Sequence, residues 1–231
     1  MMSSPVILAL DTKDLSQAES WIKSSNEFID HYKVGLEFFL RNGVDGIRKL
    51  RTVADFELFL DLKLYDIPNT VKGAVESVAE LKPKFLTVHA SGGSKMITAA
   101  KDALPNGSIT AVTVLTSFSE EGFSALGQSQ NIEETSKNWA KLALAAGATS
   151  LVCSPFEVAT LRDLSNSAIL ITPGVRVPGD DLGDQVRVMS PKEAISAGAN
   201  FVVIGRSITQ LWDGNGKAMQ KKIELILNSL A

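Results

Sequence analysis

The chain has 231 residues, 45% of them hydrophobic and 21% charged, and its 23 Lys plus Arg against 26 Asp plus Glu give a net charge of -3. These proportions exclude a disordered tail, a collagen-like fibre and a small disulfide scaffold. The slight acidity argues against broad, sequence-independent nucleic-acid binding, which needs a basic face, but leaves room for a small anionic ligand held by a few local cations. Cys153 is the only cysteine, so no internal disulfide can form, and within Ser150-Leu151-Val152-Cys153 it reads as a small buried hydrophobe. Met1 to Pro5 carries no basic segment and Val6 to Leu10 is too short for a signal sequence. No run approaches the about 18 apolar residues of a membrane-spanning helix. A cytoplasmic protein without membrane attachment is expected.

Along the chain, short apolar runs begin near Val6, Tyr32, Glu57, Phe85, Ile109, Ser150, Ile169 and Phe201. Each is apolar almost throughout, as a strand covered on both faces should be. Helical patterns lie between them: from Val71 to Leu81, the residues Val71, Ala74, Val75, Val78 and Leu81 keep one face apolar. The segments Leu144 to Val152 and Ile195 to Val203 echo each other, each with a Gly placed to end a helix in the left-handed conformation before a buried strand. Eight strands alternating with helices imply parallel pairing through right-handed crossovers. At this length they predict a single (β/α)8 TIM barrel domain over residues 1–231. The alternative, an open doubly wound sheet, would want a Gly-rich fingerprint after an early strand, and Leu10-Asp11-Thr12-Lys13 is not one.

Function in such a barrel sits at the C-terminal ends of the strands. Strand 1 is read as ending in Asp11, strand 2 carries Lys33, strand 3 ends Asp61-Leu62-Lys63 with Asp66 following, strand 4 ends in His89 and strand 5 in Thr116-Ser117. Asp61 and Lys63 are two apart and share a face. Facing the helices they would be buried against apolar side chains at several kcal/mol each, so the lumen mouth is the cheaper place. Lys33 on the neighbouring strand is a partner for Asp61, and the order Lys33, Asp61, Lys63, Asp66 alternates in sign. Alternation keeps each lysine protonated, and a protonated lysine among carboxylates is a proton donor, not a Schiff-base nucleophile. The pattern therefore suggests proton delivery to a carbanion-like centre. A structural ion network, with Asp66 capping a helix that starts near Pro68, would look the same in sequence.

Residues 172–191, TPGVRVPGDDLGDQVRVMSP, have no helical period and read as a binding loop. The strand at Phe201 then runs into Gly205 and Arg206. Loops after strands 7 and 8 of barrels often bind phosphate, with Gly205 allowing close backbone approach and Arg176 and Arg206 supplying charge-assisted hydrogen bonds. Gln185 is polar and could span from a phosphate to the rest of a ligand. Only two histidines are present, His31 at the strand start and His89 at the strand end, which makes no metal site. Trp21, Trp139 and Trp212 read as packing residues of helical segments, and Lys217, Lys221 and Lys222 as a solvated helix face.

The run Asp61-Leu62-Lys63-Leu64-Tyr65-Asp66-Ile67-Pro68-Asn69-Thr70 resembles the D-x-K-x-x-D-I-P-N-T signature of the orotidine 5'-phosphate decarboxylase family. Ala9-Leu10-Asp11, Tyr32-Lys33-Val34-Gly35, Val114-Leu115-Thr116-Ser117, TPGVR at 172–176, Gly183-Asp184-Gln185 and Ile204-Gly205-Arg206 are similar to the family in the same order. The resemblance spans nearly the whole chain and fits the shorter bacterial type. It implies decarboxylation of orotidine 5'-phosphate to UMP without cofactor or metal. Lys63 would protonate C6 of the pyrimidine, Asp61 and Asp66 would sit beside the substrate carboxylate, and Lys33 would complete the charged chain. Asp11 and Lys33 would contact the ribose, Thr116 the base, and Arg176, Gln185, Gly205 and Arg206 the phosphate. Asp66, Ile67 and Thr70 would reach into a neighbouring subunit's site, implying a homodimer. Two other readings stay open: a metal-dependent 3-keto sugar-phosphate decarboxylase or aldolase of a related barrel group, and a catalytically silent nucleotide-binding barrel.

Overall fold

The computed structural model describes residues 4–176 and 189–230. Eight strands follow one another around a closed barrel: β1 (Val6–Ala9), β2 (His31–Gly35), β3 (Glu57–Leu64), β4 (Phe85–His89), β5 (Ser108–Val112), β6 (Ser150–Val152), β7 (Ile169–Thr172) and β8 (Phe201–Ile204). Every neighbouring pair is parallel, β8 closing on β1. The helices are α1 (Leu15–Ser25), α2 (Leu36–Arg51), α3 (Pro68–Ala79), α4 (Gly93–Ala103), α5 (Glu120–Ser124), α6 (Ile132–Ala145), α7 (Val158–Leu164), α8 (Pro191–Ser196), α9 (Arg206–Thr209) and α10 (Lys217–Leu230). None of them is long and apolar enough to cross a membrane.

Strand alternation sorts the side chains into two cores. Ile7, Ala9, Phe59, Phe85, Val112, Val152, Ile171 and Val203 fill the lumen, while Leu8, Tyr32, Val34, Leu60, Leu86, Leu151, Leu170 and Val202 pack outward in the shared core of strands and helices. Each strand is therefore buried on both faces, which is why its sequence reads as an unbroken apolar run.

Local signals set the helix ends. Asp14 caps α1 by accepting from the Gln17 N–H, Asn131 caps α6 through Glu134, and Ser190 and Glu193 form a reciprocal capping box on α8. The two echoing glycines do what their sequence context predicts. Gly147 and Gly198 have φ of 98° and 113°, and each is framed by paired hydrogen bonds, Gly147 to Leu144 with Ala148 to Ala143, and Gly198 to Ile195 with Ala199 to Ala194. This is the Schellman closure of a helix.

Two expectations change. β5 ends at Val112, so Thr116 and Ser117 stand on the connection after it; once the chain leaves the ladder at Thr113 it turns over the mouth toward α5. Trp212 lies in the turn between α9 and α10 instead of within a helix, because α9 is only one turn long.

Candidate active site

The C-terminal ends of the strands surround a cavity of about 290 Å³ lined by Asp11, Lys33, Asp61, Lys63, Thr116, Arg176, Gly205 and Arg206 among others. Residues from β1, β2, β3, the β5 connection, the β7 connection and β8 thus meet in one place. Gln185 lies outside the described residues.

The charged residues form a chain. Lys33 Nζ donates to Asp11 Oδ1 at 2.9 Å and stands 3.6 Å from Asp61 Oδ2. Lys63 Nζ donates to both oxygens of Asp61, at 2.8 and 2.9 Å. The inner members are buried, their side chains 13% exposed for Lys33 and 11% for Asp61, whereas the ends are open, 52% for Asp11 and 31% for Lys63. Burial alone would lower the Lys33 ammonium, but Asp11 and Asp61 outweigh it and raise its pKa. Burial alone would raise the Asp61 carboxyl; the ammoniums of Lys33 and Lys63 and the hydrogen bonds from Lys63 and Thr87 prevail and hold it below the ordinary carboxylate range. Asp61 is thereby anionic and Lys33 cationic across the neutral pH range. Among the described residues no group of three or more His, Cys, Asp or Glu side chains converges as metal ligands would; lysines separate the acids of the mouth.

The sequence order placed Asp66 beside Lys63; within one chain the fourth member is Asp11, at the opposite end of the row beside Lys33. Asp66 is exposed and its carboxylate accepts from the next backbone N–H, that of Ile67, at 2.6 Å. It does not cap α3, whose N-terminal residue Ile67 has no side-chain cap and whose first turn is set by Pro68. Asp66, Ile67 and Thr70 all point away from the chain's own core as exposed residues. Arg176 is half-buried, its backbone N–H bonded to Met189 and its guanidinium to the Val175 carbonyl. Arg206 is the first residue of α9, directly after Gly205. A Cβ at Gly205 would lie 3.3 Å from both Asp11 Oδ2 and Ala9 Cβ, so this glycine also leaves room for the Asp11 carboxylate.

One residue and one backbone conformation escaped the sequence reading. Thr87, inward-facing on β4 and fully buried, links Asp61 to the Lys63 backbone. Its signal was present in principle, since Thr is the one polar residue of Phe85-Leu86-Thr87-Val88, but what it bonds depends on the neighbouring strand. The second surprise is Lys63 itself, which has φ of 47°, a left-handed conformation rare for a residue with a side chain. His89 ends β4 half-buried, edge-on to the Tyr65 ring at 5.7 Å; burial and the nearby Lys63 lower its pKa against the opposing pull of Asp61, so it is neutral at pH 7.

Comparison with known proteins identifies the family. Residues 4–220 match the model of the orotidine 5'-phosphate decarboxylase / HUMPS family. The chain is 45% identical over 225 residues to an orotidine 5'-phosphate decarboxylase of Thermobifida fusca, covering 97% of each sequence. It is 42% identical over 217 residues to the enzyme of that name from Gluconobacter oxydans, covering 90% of this chain and 91% of the relative. The crystal structure of orotidine 5'-phosphate decarboxylase from Lactobacillus acidophilus superposes with a TM-score of 0.82 at 33% identity, covering 99% of both chains. Matched in sequence through nearly its full length and in its barrel, the chain belongs to the orotidine 5'-phosphate decarboxylase / HUMPS family.

Proposed function

We infer that this protein is a carboxy-lyase that converts orotidine 5'-phosphate to UMP and CO2. The observation that carries the reading is the chain Asp11–Lys33–Asp61–Lys63, which delivers one partly open ammonium to a cavity that also holds Arg176 and Arg206. In the reaction the bond between C6 and the carboxylate carbon breaks, CO2 departs, and the electron pair stays on C6 in a ring-plane orbital that the π system cannot delocalise. Lys63 Nζ gives its proton to C6 and is reprotonated from solvent. An ammonium fixed in advance by Asp61 stabilises the developing charge without reorganisation. Asp61 also crowds the substrate carboxylate with negative charge.

Arg176, Arg206 and the backbone at Gly205 hold the phosphate, a role the family resemblance extends to Gln185, while Asp11 and Lys33 hold the ribose and Thr116 the base. Phosphate binding is remote from C6 and supplies energy for positioning, so a substrate lacking it should lose turnover and not affinity alone. The site needs no cofactor or metal in this reading. Residues 1–231 act as one barrel domain in the cytoplasm, a view supported by the continuous family match and the lone buried thiol of Cys153.

A second copy completes the site. Asp66, Ile67 and Thr70 are exposed beside the mouth, and the exposed large apolar residues include Leu36 and Leu40 in the first turns of α2 and Tyr65 and Ile67 on the β3–α3 connection. A homodimer pairing these segments would bring Asp66 to the partner's Lys63.

The deciding experiment is an absorbance assay for orotidine 5'-phosphate with excess EDTA present. Consumption with UMP formation, unchanged by chelator, is expected. Activity that chelation abolishes would favour the metal-dependent sugar-phosphate chemistry, and no consumption under any condition would overturn the reading.

A further inference from the structure

The Lys63 backbone is held in an unfavourable conformation by something outside its own strand. Between Leu60 and Leu64 the register of β3 against β4 slips: these residues pair with Leu86 and Val88, so four steps along β3 face two along β4. Such a bulge removes Lys63 from the regular ladder, and at φ 47° its N–H has no strand carbonyl to meet. The Thr87 hydroxyl takes the bond instead, accepting from Lys63 N at 2.8 Å. The same hydroxyl donates to Asp61 Oδ1 at 3.0 Å. A hydroxyl has one proton; bonded to an amide donor on one side, it must spend that proton on the carboxylate. Thr87 therefore fixes both ends of the Asp61–Lys63 pair, the backbone from which the lysine starts and the acid on which its ammonium rests.

We propose that Thr87 is a positioning residue of this site, holding the Lys63 backbone in its left-handed turn so that Nζ meets Asp61 at the cavity. The proposal rests on the decarboxylase reading for its kinetic consequence and on the geometry alone for its structural one. Without the hydroxyl, the part-buried Lys63 N–H loses its acceptor and the backbone can relax toward the extended region, which swings Nζ off Asp61. Conformational strain of this kind persists only where neighbours over-determine it.

The test compares Thr87→Val, which keeps the shape and removes the hydroxyl, with Thr87→Ser, which keeps the hydroxyl. Thr87→Val should lower kcat by about 10- to 100-fold, the scale of one or two hydrogen bonds to charged or strained groups, with KM little changed. Thr87→Ser should recover most of it. Asp61 is faced by Lys33 from β2, Lys63 from β3 and His89 from the end of β4. With those charges untouched, losing the Thr87 donor should move the acid limb of kcat/KM to higher pH in the Val variant alone. The carboxyl carbon shift of Asp61, titrated by NMR, gives the same comparison without turnover. A wild-type protein that fails to decarboxylate therefore defeats the proposed function but leaves this proposal to the titration. A Val variant that only melts earlier, with kcat, acid limb and Asp61 titration as in wild type, would overturn it.

Discussion

The two ends of the barrel bury polar groups in opposite ways. At the floor, Ser108, Thr110 and Ser150 join through their hydroxyls at 2.6 to 2.7 Å, and the His31 ring packs against Phe201 at 4.8 Å and Phe85 at 6.3 Å. Beside them Arg162 donates to the carbonyls of Gly198, Ser165, Asn166 and Ala168 and to Asn200 Oδ1. Those groups satisfy one another and close the end. At the mouth, the charges are also paired, but the chain stops at a lysine with part of its ammonium turned to an open cavity. The same inward-facing positions thus serve cohesion at one end and chemistry at the other, which is how a barrel separates stability from activity.

Substitutions at either end test that separation. The largest effect is expected from Lys63→Ala, which should cut turnover by about 10³-fold or more, the scale of a lost general acid and charge stabiliser. UMP binding by calorimetry and the folded circular dichroism spectrum should survive, and near-normal rates would refute the donor role. Arg162→Ala should do the reverse. Stripping a donor from several carbonyls should cost about 2–4 kcal/mol in urea denaturation, while turnover per folded molecule stays at the wild-type value. A fall in kcat of the folded fraction would show that the ends are coupled.

Arg206→Ala should weaken phosphate binding by about 2–4 kcal/mol, and an unchanged kcat/KM would contradict its placement. Mixing Lys63→Ala with Asp66→Ala subunits should restore part of the activity that neither has alone; failure to complement would count against a site shared between copies. The smallest effect concerns His89. Its folded pKa lies below the ordinary 6.5, so the unfolded chain binds more protons there. The stability this confers is present above pH 6.5 and is lost as pH falls through the folded value. His89→Gln should flatten thermal stability across that window, and an identical pH slope in the variant would exclude His89 as its source.

Much of this architecture is legible in the sequence. All eight strands start within one residue of where the apolar runs begin, since strands covered on both faces leave no polar interruption. Gly147 and Gly198 announced two helix ends because a left-handed C-terminal cap is a local requirement. Lys33 and Asp61 were legible as lumen-facing partners because parity along a strand fixes the face and pairing fixes the depth. Other features were not legible. Asp11 extends the charged chain at its Lys33 end because the residues after β1 stand at the mouth beside β2. Thr116 lies beyond its strand because β5 leaves the ladder early.

What the sequence determined by itself was periodic and local: the alternation of strands and helices, the caps, and which face each charge occupies. The tertiary structure alone decided how Lys63 is aimed. Its left-handed backbone is stable only because a strand bulge brings Thr87, 24 residues away in the chain, within reach of both its N–H and its acidic partner. A conformation held by a non-local hydrogen bond leaves no periodic trace in the residues that adopt it.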